Sequence, residues 1–432
     1  MEKSKIVEVL AEWNFWRATR DVGILRESYL EKMAKLEKTG QIVTIMGVRR
    51  AGKSTLMLQY IKGLIDQGLD PASTLYVNLE DPRWGELSQQ FLQAIWEAYL
   101  EWLEPKAKPF VFFDEVHLVP GWERVARALH ERKEATLFIS GSSSKLLSME
   151  FGSVLTGRHV SLVVYPLTFR EFLLFKGFEL ELRLELLLTR ERVKISRLLR
   201  EYLEWGGFPQ VVLSGEKREM LTGYFDDVIS RDIVERYGIR KPDKLKALAR
   251  YYLTNIASPI SFNRVRRFLG IPLDTVERFS SYLTYPYLIF FTKKFSYSLK
   301  EQEVNPRKVY SIDTGLRNTI SLRFSEDIGR LYENVVFLHL IQQGKEVFYW
   351  KNKAECDFLV RTGRGPSEAI QVCHTLTEET KNRELRGVLE AMENFRLKSG
   401  FVITEDYEGQ EQYKGKTVIF VPLWKWLYRG ID

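Results

Sequence analysis

The stretch Ile42–Thr55, "IVTIMGVRRAGKST", decides the fold of the first part of this chain. Its first five residues are apolar or β-branched, which is typical of a buried strand, and the residues after Ser54, "TLMLQYIKGLI", have apolar positions at helical spacing. Between them, Gly47-x4-Gly52-Lys53-Ser54 has the spacing of a phosphate-binding loop. Backbone N–H groups and a helix N-terminus surround phosphate oxygens in such a loop. The stretch therefore predicts a strand, a phosphate-binding loop and a helix.

This loop predicts ATP and Mg²⁺ as cofactors. Lys53 is expected to reach the outer phosphates and Ser54 to ligate Mg²⁺. Residues between the two glycines offer mainly backbone N–H groups, so we expect the side chains of Arg49 and Arg50 to point away from the β-phosphate. They are then available to pair with acids of the lid, with the C-terminal region or with a neighbouring subunit. The predicted nucleotide contacts are Gly47, Val48, Arg49, Arg50, Ala51, Gly52, Lys53, Ser54 and Thr55.

A second element, "PFVFFDEVHLV", is an apolar strand that ends in Asp114 and Glu115. An acid at the end of a buried parallel strand is where such a site holds Mg²⁺, and we expect Asp114 to do so by way of water. Glu115 is the natural base to polarise the attacking water. Further along, "TLFISGSSSKLL" is another strand, and Ser140 or Ser142 is expected to touch the γ-phosphate or its water; the alternative is that Ser142 or Ser143 caps the next helix.

The order of these motifs resembles a known family. "GVRRAGKST", "FFDEVH", "SGSSSKLL" and "LTGRHVSLVVYPLTFREFL" are similar to the motifs of a group of prokaryotic AAA-type ATPases, and "YLEWGGFPQVV", "SRDIVERYGI" and "KVYSIDTGLRN" extend the resemblance over most of the chain. Members carry a C-terminal region with a winged helix and a restriction-endonuclease-like domain. The resemblance implies an α/β fold: a phosphate-loop NTPase with a parallel sheet, a helical lid, a winged helix and an α+β nuclease-like domain.

Two arginines are candidates for contact with the γ-phosphate. A fixed guanidinium beside the site would neutralise phosphate charge, either in cis or from a neighbouring subunit. Arg158, in "TGRHVSLVV", is the first candidate and Arg231, in "SRDI", is its competitor. For either residue the alternative is an ion pair with an acid.

We expect four parts: an ATPase core with an N-terminal helical segment (1–175), a helical lid (176–240), a winged-helix-like domain (241–300) and a nuclease-like domain (301–432). In the core, Thr168 and Glu171 predict a capping box that begins a helix. In the third part, three short helices precede a β-like pair. Arg264, Arg266 and Arg267, with Lys293 and Lys294 in the expected wing, favour phosphate contact. The predicted recognition helix is poor in basic residues, so packing within the protein or against a partner protein is an equal alternative.

The last part has the order of a nuclease site without its complete chemistry. Glu333 lies on a predicted helix, and Glu355 and Asp357 lie on a strand face shared with Lys353. A later strand has Gln371-Val372-Cys373 where Glu-x-Lys is expected. An amide is a weaker Mg²⁺ ligand than a carboxylate, and a thiol does not replace the lysine ammonium. We therefore expect this domain to be inactive, although a migrated site remains open.

The composition of the chain indicates the cellular compartment in which we expect it. The chain has 432 residues, a net charge of +7 and two cysteines, which fits a reducing compartment. Its first residues lack the pattern of a secretory signal, and its longest apolar runs are far shorter than the ~20 residues of a membrane span. We expect a cytoplasmic protein with no membrane partner; DNA, a protein client and further copies of the chain are open as partners.

The leading hypothesis is an Mg²⁺-dependent ATPase whose nucleotide state rearranges its C-terminal region, acting on or near DNA. The predicted catalytic residues are Lys53, Glu115, Ser140 and Arg158. One alternative is a slow nucleotide-gated switch that acts as an interaction module. A second alternative is a DNA nuclease licensed by ATP.

Overall fold

The computed structural model of the chain describes residues 2–141, 155, 157–179, 189–321, 328–363 and 365–429. The chain divides into two compact units, Met1–Val164 and Tyr165–Asp432. The boundary between the two units lies after Val164, earlier in the chain than the boundary predicted after residue 175. The predicted roles of Ser142 and Ser143 lie outside the described residues.

The first unit is built on a parallel five-stranded sheet in the order β2-β3-β4-β1-β5. The strands are β1 (Ile42–Gly47), β2 (Thr74–Asn78), β3 (Phe110–Asp114), β4 (Thr136–Ser140) and β5 (His159–Val164). The helices are α1 (Lys3–Trp13), α2 (Glu27–Glu37), α3 (Lys53–Asp66), α4 (Gln89–Leu103) and α5 (Trp122–Glu131), with 3-10 turns at Pro71–Ser73, Pro82–Trp84 and Val116–Leu118. Because β3, β4 and β1 are neighbours and parallel, their carboxyl ends meet at one edge of the sheet. This confirms the predicted strand, loop and helix.

The N-terminal segment protects one border strand of this sheet. Asn14 makes a pair of hydrogen bonds with the backbone of β2: its Nδ2 donates to the Tyr76 carbonyl at 2.8 Å, and its Oδ1 accepts from the Tyr76 N–H at 2.7 Å. Trp16 donates its indole N–H to the Thr74 carbonyl at 2.8 Å. These side chains satisfy backbone groups that an edge strand would otherwise leave open.

The second unit begins with helices. They are α6 (Phe169–Phe175), α7 (Thr189–Trp205), α8 (Pro209–Leu213), α9 (Lys217–Asp227), a π-helix (Val228–Glu235), α10 (Pro242–Thr254), α11 (Phe262–Leu269) and α12 (Leu273–Thr284). The predicted capping box is confirmed: the Glu171 N–H donates to Thr168 Oγ1 at 3.1 Å, and the Thr168 N–H donates to Glu171 Oε2 at 2.9 Å.

Two sheets complete the second unit. A small antiparallel sheet has the order β6-β8-β7, and a mixed sheet has the order β13-β14-β12-β11-β10-β9. The strands are β6 (Pro259–Ile260), β7 (Ile289–Thr292), β8 (Arg307–Ser311), β9 (Glu346–Lys351), β10 (Glu355–Thr362), β11 (Gly365–Val372), β12 (Ser399–Thr404), β13 (Gly409–Tyr413) and β14 (Lys416–Pro422). The helices are α13 (Leu299–Val304), α14 (Thr314–Ile320), α15 (Ile328–Gln342), α16 (Glu378–Asn394) and α17 (Leu423–Arg429).

The mixed sheet buries both of its faces. Successive residues of a strand point to opposite sides, and Phe358 and Leu359 of β10 accordingly belong to two different apolar clusters. Phe358 packs in the cluster that contains Val336 of α15, whereas Leu359 packs in the cluster that contains Val388 of α16. Helices therefore cover the sheet from both sides.

The expected wing is not a free hairpin. Strand β7 pairs with β8 across the intervening helix α13, not with an adjacent strand of a tight hairpin. The segment after β7 then pairs with β9: the Tyr349 N–H donates to the Lys293 carbonyl at 3.1 Å, and the Phe295 N–H donates to the Tyr349 carbonyl at 2.7 Å. The backbone of this segment is thus hydrogen-bonded to the mixed sheet, a long-range pairing that local pattern does not reveal.

Gly47 provides a test of the first unit. A Cβ at this position would lie 2.1 Å from the Val164 carbonyl oxygen, and the residue has a φ of +140°. Gly47→Ala is expected to lower the free energy of unfolding by about 3 kcal/mol, because β1 and β5 must separate to admit the methyl group. Chemical denaturation measures this loss.

Gly63→Ala in the middle of α3 is the matched control. A Cβ at Gly63 meets no atom within 4 Å. This change should raise the free energy of unfolding by about 0.5–1 kcal/mol, since alanine restricts the unfolded chain and favours helix. Equal effects of the two substitutions would contradict the close approach as the reason for glycine at position 47.

Candidate functional site

The loop between β1 and α3 has the backbone of an anion-binding turn. Gly52 has a φ of +96° and Arg50 a φ of +66°, so the chain turns sharply before α3 begins at Lys53. Lys53 is 6% exposed, and its Nζ donates to the carbonyls of Gly47 at 3.1 Å and Val48 at 3.2 Å. The ammonium group therefore lies against the loop, next to the N-terminus of the helix.

The N-terminal segment contacts this loop through Arg26, a residue that the sequence analysis did not identify. Arg26 is buried, and its Nη1 donates to the Ala51 carbonyl at 2.9 Å. Gln59 of α3 donates to the carbonyls of Val22 at 3.0 Å and Ile24 at 2.8 Å, which anchors the segment that carries Arg26. No local pattern predicts a contact between residues 25 positions apart in an irregular segment.

Asp114 lies at the carboxyl end of β3, surrounded by hydroxyl donors. It is 2% exposed and accepts hydrogen bonds from Ser140 and from Tyr76, whose Oη lies 2.6 Å from Asp114 Oδ2. Burial and the neighbouring Glu115 raise the pKa of Asp114, while hydrogen bonds from Ser140, Ser54 and Tyr76 oppose this shift. Tyr76 escaped the sequence analysis, although a tyrosine in a buried strand needs a partner for its hydroxyl.

Ser140 contacts both acidic residues of the site. Its Oγ donates to Asp114 and accepts the backbone N–H of Glu115 at 3.1 Å. The structure thus shows Ser140 orienting the two acidic residues. Direct contact of this hydroxyl with a phosphate stays a prediction.

Glu115 follows Asp114 in a left-handed conformation, with a φ of +55°. Its Oε2 lies 3.1 Å from Nδ1 of His117. Burial raises the pKa of Glu115, but the nearby imidazole of His117 and the charges of Lys53 and Arg49 outweigh it and bring the pKa to about 2. The carboxylate is therefore ionised at neutral pH, which a general base requires.

Arg49 pairs with an acid, but this acid belongs to the first unit; pairing with the lid, the C-terminal region or a neighbouring subunit stays a prediction. Its Nη1 lies 3.9 Å from Oε1 of Glu80, just beyond the end of β2. Burial and the nearby Glu115 raise the pKa of Glu80, and Arg49 opposes them. Arg49 thus balances the carboxylates at this edge of the sheet. Nucleotide contact by Arg49 and Arg50 stays a prediction.

Comparison with known proteins shows which families the parts of the chain match and to which family the whole chain belongs. Residues 39–173 match the family described as "AAA domain", and residues 196–327 and 328–426 match two domains of unknown function, DUF8612 and DUF4143. An uncharacterized protein of Methanocaldococcus jannaschii is 34% identical over 405 residues, which is 89% of this chain and 88% of the relative. The chain belongs to the family of these proteins.

The family includes bacterial members. An uncharacterized protein of Haemophilus influenzae is 30% identical over 413 residues, covering 93% of this chain and 98% of the relative. Among solved structures, the Walker-type ATPase of Pyrococcus abyssi is similar with a TM-score of 0.43 and 13% identity, covering 68% of this chain and 95% of that chain. The AAA domain and its parallel sheet confirm the α/β fold and imply nucleotide binding.

Arg158 lies at the wrong end of the AAA domain sheet to act in cis. It immediately precedes β5, and His159 pairs with Ile42, at the start of β1, whereas Val164 pairs with Gly47 beside the loop. The length of β5 separates Arg158 from the loop by on the order of 17 Å. Its Nη2 pairs with Glu131 Oε1 at 3.0 Å. The predicted contact within one chain is therefore wrong, and contact from a neighbouring subunit stays a prediction.

The second unit brings together most of the residues expected at a nuclease-like site. Glu333 on α15, Asp357 on β10 and Gln371 on β11 are all buried, and Gln371 Nε2 donates to Asp357 Oδ2 at 2.8 Å. Lys353 is not on the face of β10 as predicted, because it lies in the turn between β9 and β10. Lys308 of β8 occupies the centre of the cluster instead.

Two further expectations concern Arg231 and membrane-spanning segments. Arg231 lies in the π-helix with its side chain 61% exposed, and its Nε is 3.5 Å from Asp227 Oδ1. In the part of the chain that the structure describes, no helix has the length and apolar character needed to cross a membrane.

The contact between Arg26 and the loop is testable through nucleotide affinity. Arg26→Met should raise the Kd for ATP roughly tenfold, because a loop without its anchor spends less time in the binding conformation. Isothermal titration calorimetry measures this Kd. Arg20→Met is the control, since Arg20 also donates to a backbone carbonyl of the N-terminal segment, that of Glu12, but on the surface. A Kd that changes equally in both variants would refute a specific role of Arg26.

Proposed function

We propose that the first unit is an Mg²⁺-dependent ATPase that binds and hydrolyses ATP at the edge formed by β1, β3 and β4. The observation that carries this proposal is the convergence of Lys53, Asp114, Glu115 and Ser140 at one end of a parallel sheet. These groups supply a cation for phosphate charge, an acid for a metal and an ionised acid for water.

The residues present fit a magnesium ion. The Ser54 hydroxyl is close enough to Asp114 to lower the pKa of its carboxyl, so a hydroxyl and a carboxylate are neighbours beside the loop. Oxygen ligands of this kind suit Mg²⁺, with Ser54 as a direct ligand and Asp114 acting by way of water. The ion would neutralise phosphate charge. Tyr76 and Ser140 orient the carboxylate of Asp114 for this task.

Glu115 is proposed to orient the attacking water. Its carboxylate is ionised at neutral pH, and the hydrogen bond between its backbone N–H and Ser140 fixes its position relative to Asp114. His117 and Lys53 stabilise the charged form. Lys53 would leave the carbonyls of Gly47 and Val48 and contact the outer phosphates, because an anionic oxygen is a stronger acceptor than a carbonyl.

These roles separate binding from turnover. Lys53→Ala should abolish measurable ATP binding, whereas Glu115→Gln should leave the Kd for ATP within about twofold and lower kcat by roughly 10²–10³-fold. Calorimetry and phosphate release measure the two quantities. Wild-type turnover by Glu115→Gln would overturn its role. Tight ATP binding with negligible turnover by the wild type would favour the nucleotide-gated switch.

We further propose that Arg158 acts on the nucleotide of a neighbouring copy. Arg158→Ala should then lower turnover by roughly 10-fold or more at concentrations where the protein assembles, without changing the Kd for ATP. Glu131→Gln is the matched control, because it breaks the ion pair of Arg158 and keeps the guanidinium. Equal losses in the two variants, measured as phosphate release across protein concentrations, would show that only the ion pair matters.

The second unit is proposed to respond to the nucleotide state and to act on or near DNA. Arg264, Arg266 and Arg267 of α11 are all exposed, which leaves three cations available for phosphate contact. Lys293 is less available, because its Nζ pairs with Glu303 Oε1 at 2.5 Å. A protein client for the same unit remains the alternative.

A further inference from the structure

Lys308 stands at the centre of a buried cluster of carboxylates. Its side chain is 1% exposed, and its Nζ lies 3.0 Å from Glu333 Oε1, 2.9 Å from Glu355 Oε1 and 3.1 Å from Asp357 Oδ1. Burial lowers the pKa of Lys308, but the surrounding carboxylates outweigh it and hold the pKa well above its usual value. Lys308 is therefore an ammonium ion at neutral pH.

The other donors of the cluster also disfavour a divalent metal. Oδ2 of Asp357 accepts from Gln371 Nε2 at 2.8 Å and from the Val372 N–H at 3.0 Å, while Oδ1 faces Lys308. Both carboxylate oxygens of Asp357 are thus engaged by hydrogen-bond donors. The residues present do not fit the Mg²⁺ of a nuclease.

The cluster crosses the border between the two C-terminal domains. Lys308 belongs to the domain at 196–327, whereas its carboxylate partners belong to the domain at 328–426. Neighbouring residues of β8 make further contacts across the same border. Tyr310 Oη donates to Glu333 Oε1 at 2.8 Å, and the Ser311 N–H donates to Asn334 Oδ1 at 2.8 Å. Three residues of β8, namely Lys308, Tyr310 and Ser311, therefore bind α15.

We propose that the Lys308 ammonium takes the place of a divalent cation in this carboxylate cluster, and that the cluster joins the two C-terminal domains as a metal-independent latch. The latch consists of Lys308, Glu333, Glu355 and Asp357. An ammonium ion and a divalent metal ion both neutralise crowded carboxylates, but the ammonium is covalently part of β8 and cannot leave. The same contacts that fasten β8 occupy the oxygens that a nuclease would need for its metal.

Manganese binding to nucleotide-free protein tests the substitution of a cation by Lys308. Lys308→Ala removes the ammonium and leaves three carboxylates, so it should gain one Mn²⁺ site in electron paramagnetic resonance titrations, at least tenfold tighter than any site of the wild type. The double variant Lys308→Ala, Asp357→Asn should lose that site. A folded Lys308→Ala protein with no added Mn²⁺ site would overturn the proposal.

Thermal melting of metal-free protein provides the second readout, and it does not require the Lys308 variant to fold. Asp357→Asn should lower the Tm by about 5 °C, because it removes one partner of a buried ion pair. In a metal site without its metal, the same change relieves repulsion between carboxylates and raises the Tm, which would overturn the latch. Lys351→Ala is the matched control, since Lys351 pairs with Glu355 at 2.9 Å but is 57% exposed, and its Tm should stay within about 1 °C.

A plasmid assay distinguishes the latch from a nuclease. Wild-type protein with ATP and Mg²⁺ or Mn²⁺ should leave supercoiled DNA intact. Cleavage that disappears in Asp357→Asn would establish a migrated nuclease site and refute the latch. Because this outcome is independent of ATP turnover at the AAA domain, failure of the latch and failure of the proposed ATPase remain distinguishable.

Discussion

The first unit depends on the close approach of Gly47 to the Val164 carbonyl. At this point β1 must leave the sheet and turn into the loop while β5 still runs alongside it, and a side chain at position 47 would separate the two strands. Because the strands are parallel, the position of this turn also decides which ends of β3 and β4 face the loop. Asp114, Glu115 and Ser140 reach the site as a consequence of that alignment.

Hydroxyl groups and the N-terminal segment then determine the finer geometry. A buried carboxylate such as Asp114 is costly unless donors surround it, and Tyr76 and Ser140 provide them from the two strands that flank β3. The N-terminal segment contributes to the same end through Asn14, which binds the backbone of Tyr76, and through Arg26, which binds the loop. Tyr76, Asn14 and Arg26 thus support the residues that are proposed to bind the nucleotide.

The second unit also contains buried acidic residues, and a different kind of cation lies beside them. In the AAA domain, Asp114 and Glu115 are proposed to act together with a magnesium ion and a nucleotide, both of which can dissociate. The acidic residues of the latch are instead paired with a lysine of the neighbouring domain, which stabilises the domain junction and occupies the oxygens that a metal ion would need. A glutamate on a helix and an aspartate on a strand can therefore either bind a metal ion or pair with a lysine. Which of the two occurs depends on whether the neighbouring cation is a dissociable ion or a side chain of the protein.

Local patterns in the sequence were sufficient to predict the phosphate-binding loop, the strand that ends at Asp114 and the start of the helix at Thr168. The spacing of Gly47, Gly52 and Lys53, the apolar run before Asp114 and the capping box at Thr168 each involve residues a few positions apart, so chain connectivity alone brings them together. The tertiary structure alone decided the end of the sheet at which Arg158 lies, the arginine that holds the loop and the lysine that fills the carboxylate cluster. Those contacts join residues far apart in sequence, such as Lys308 and Asp357, and their formation depends on strand order and register, which periodicity does not encode.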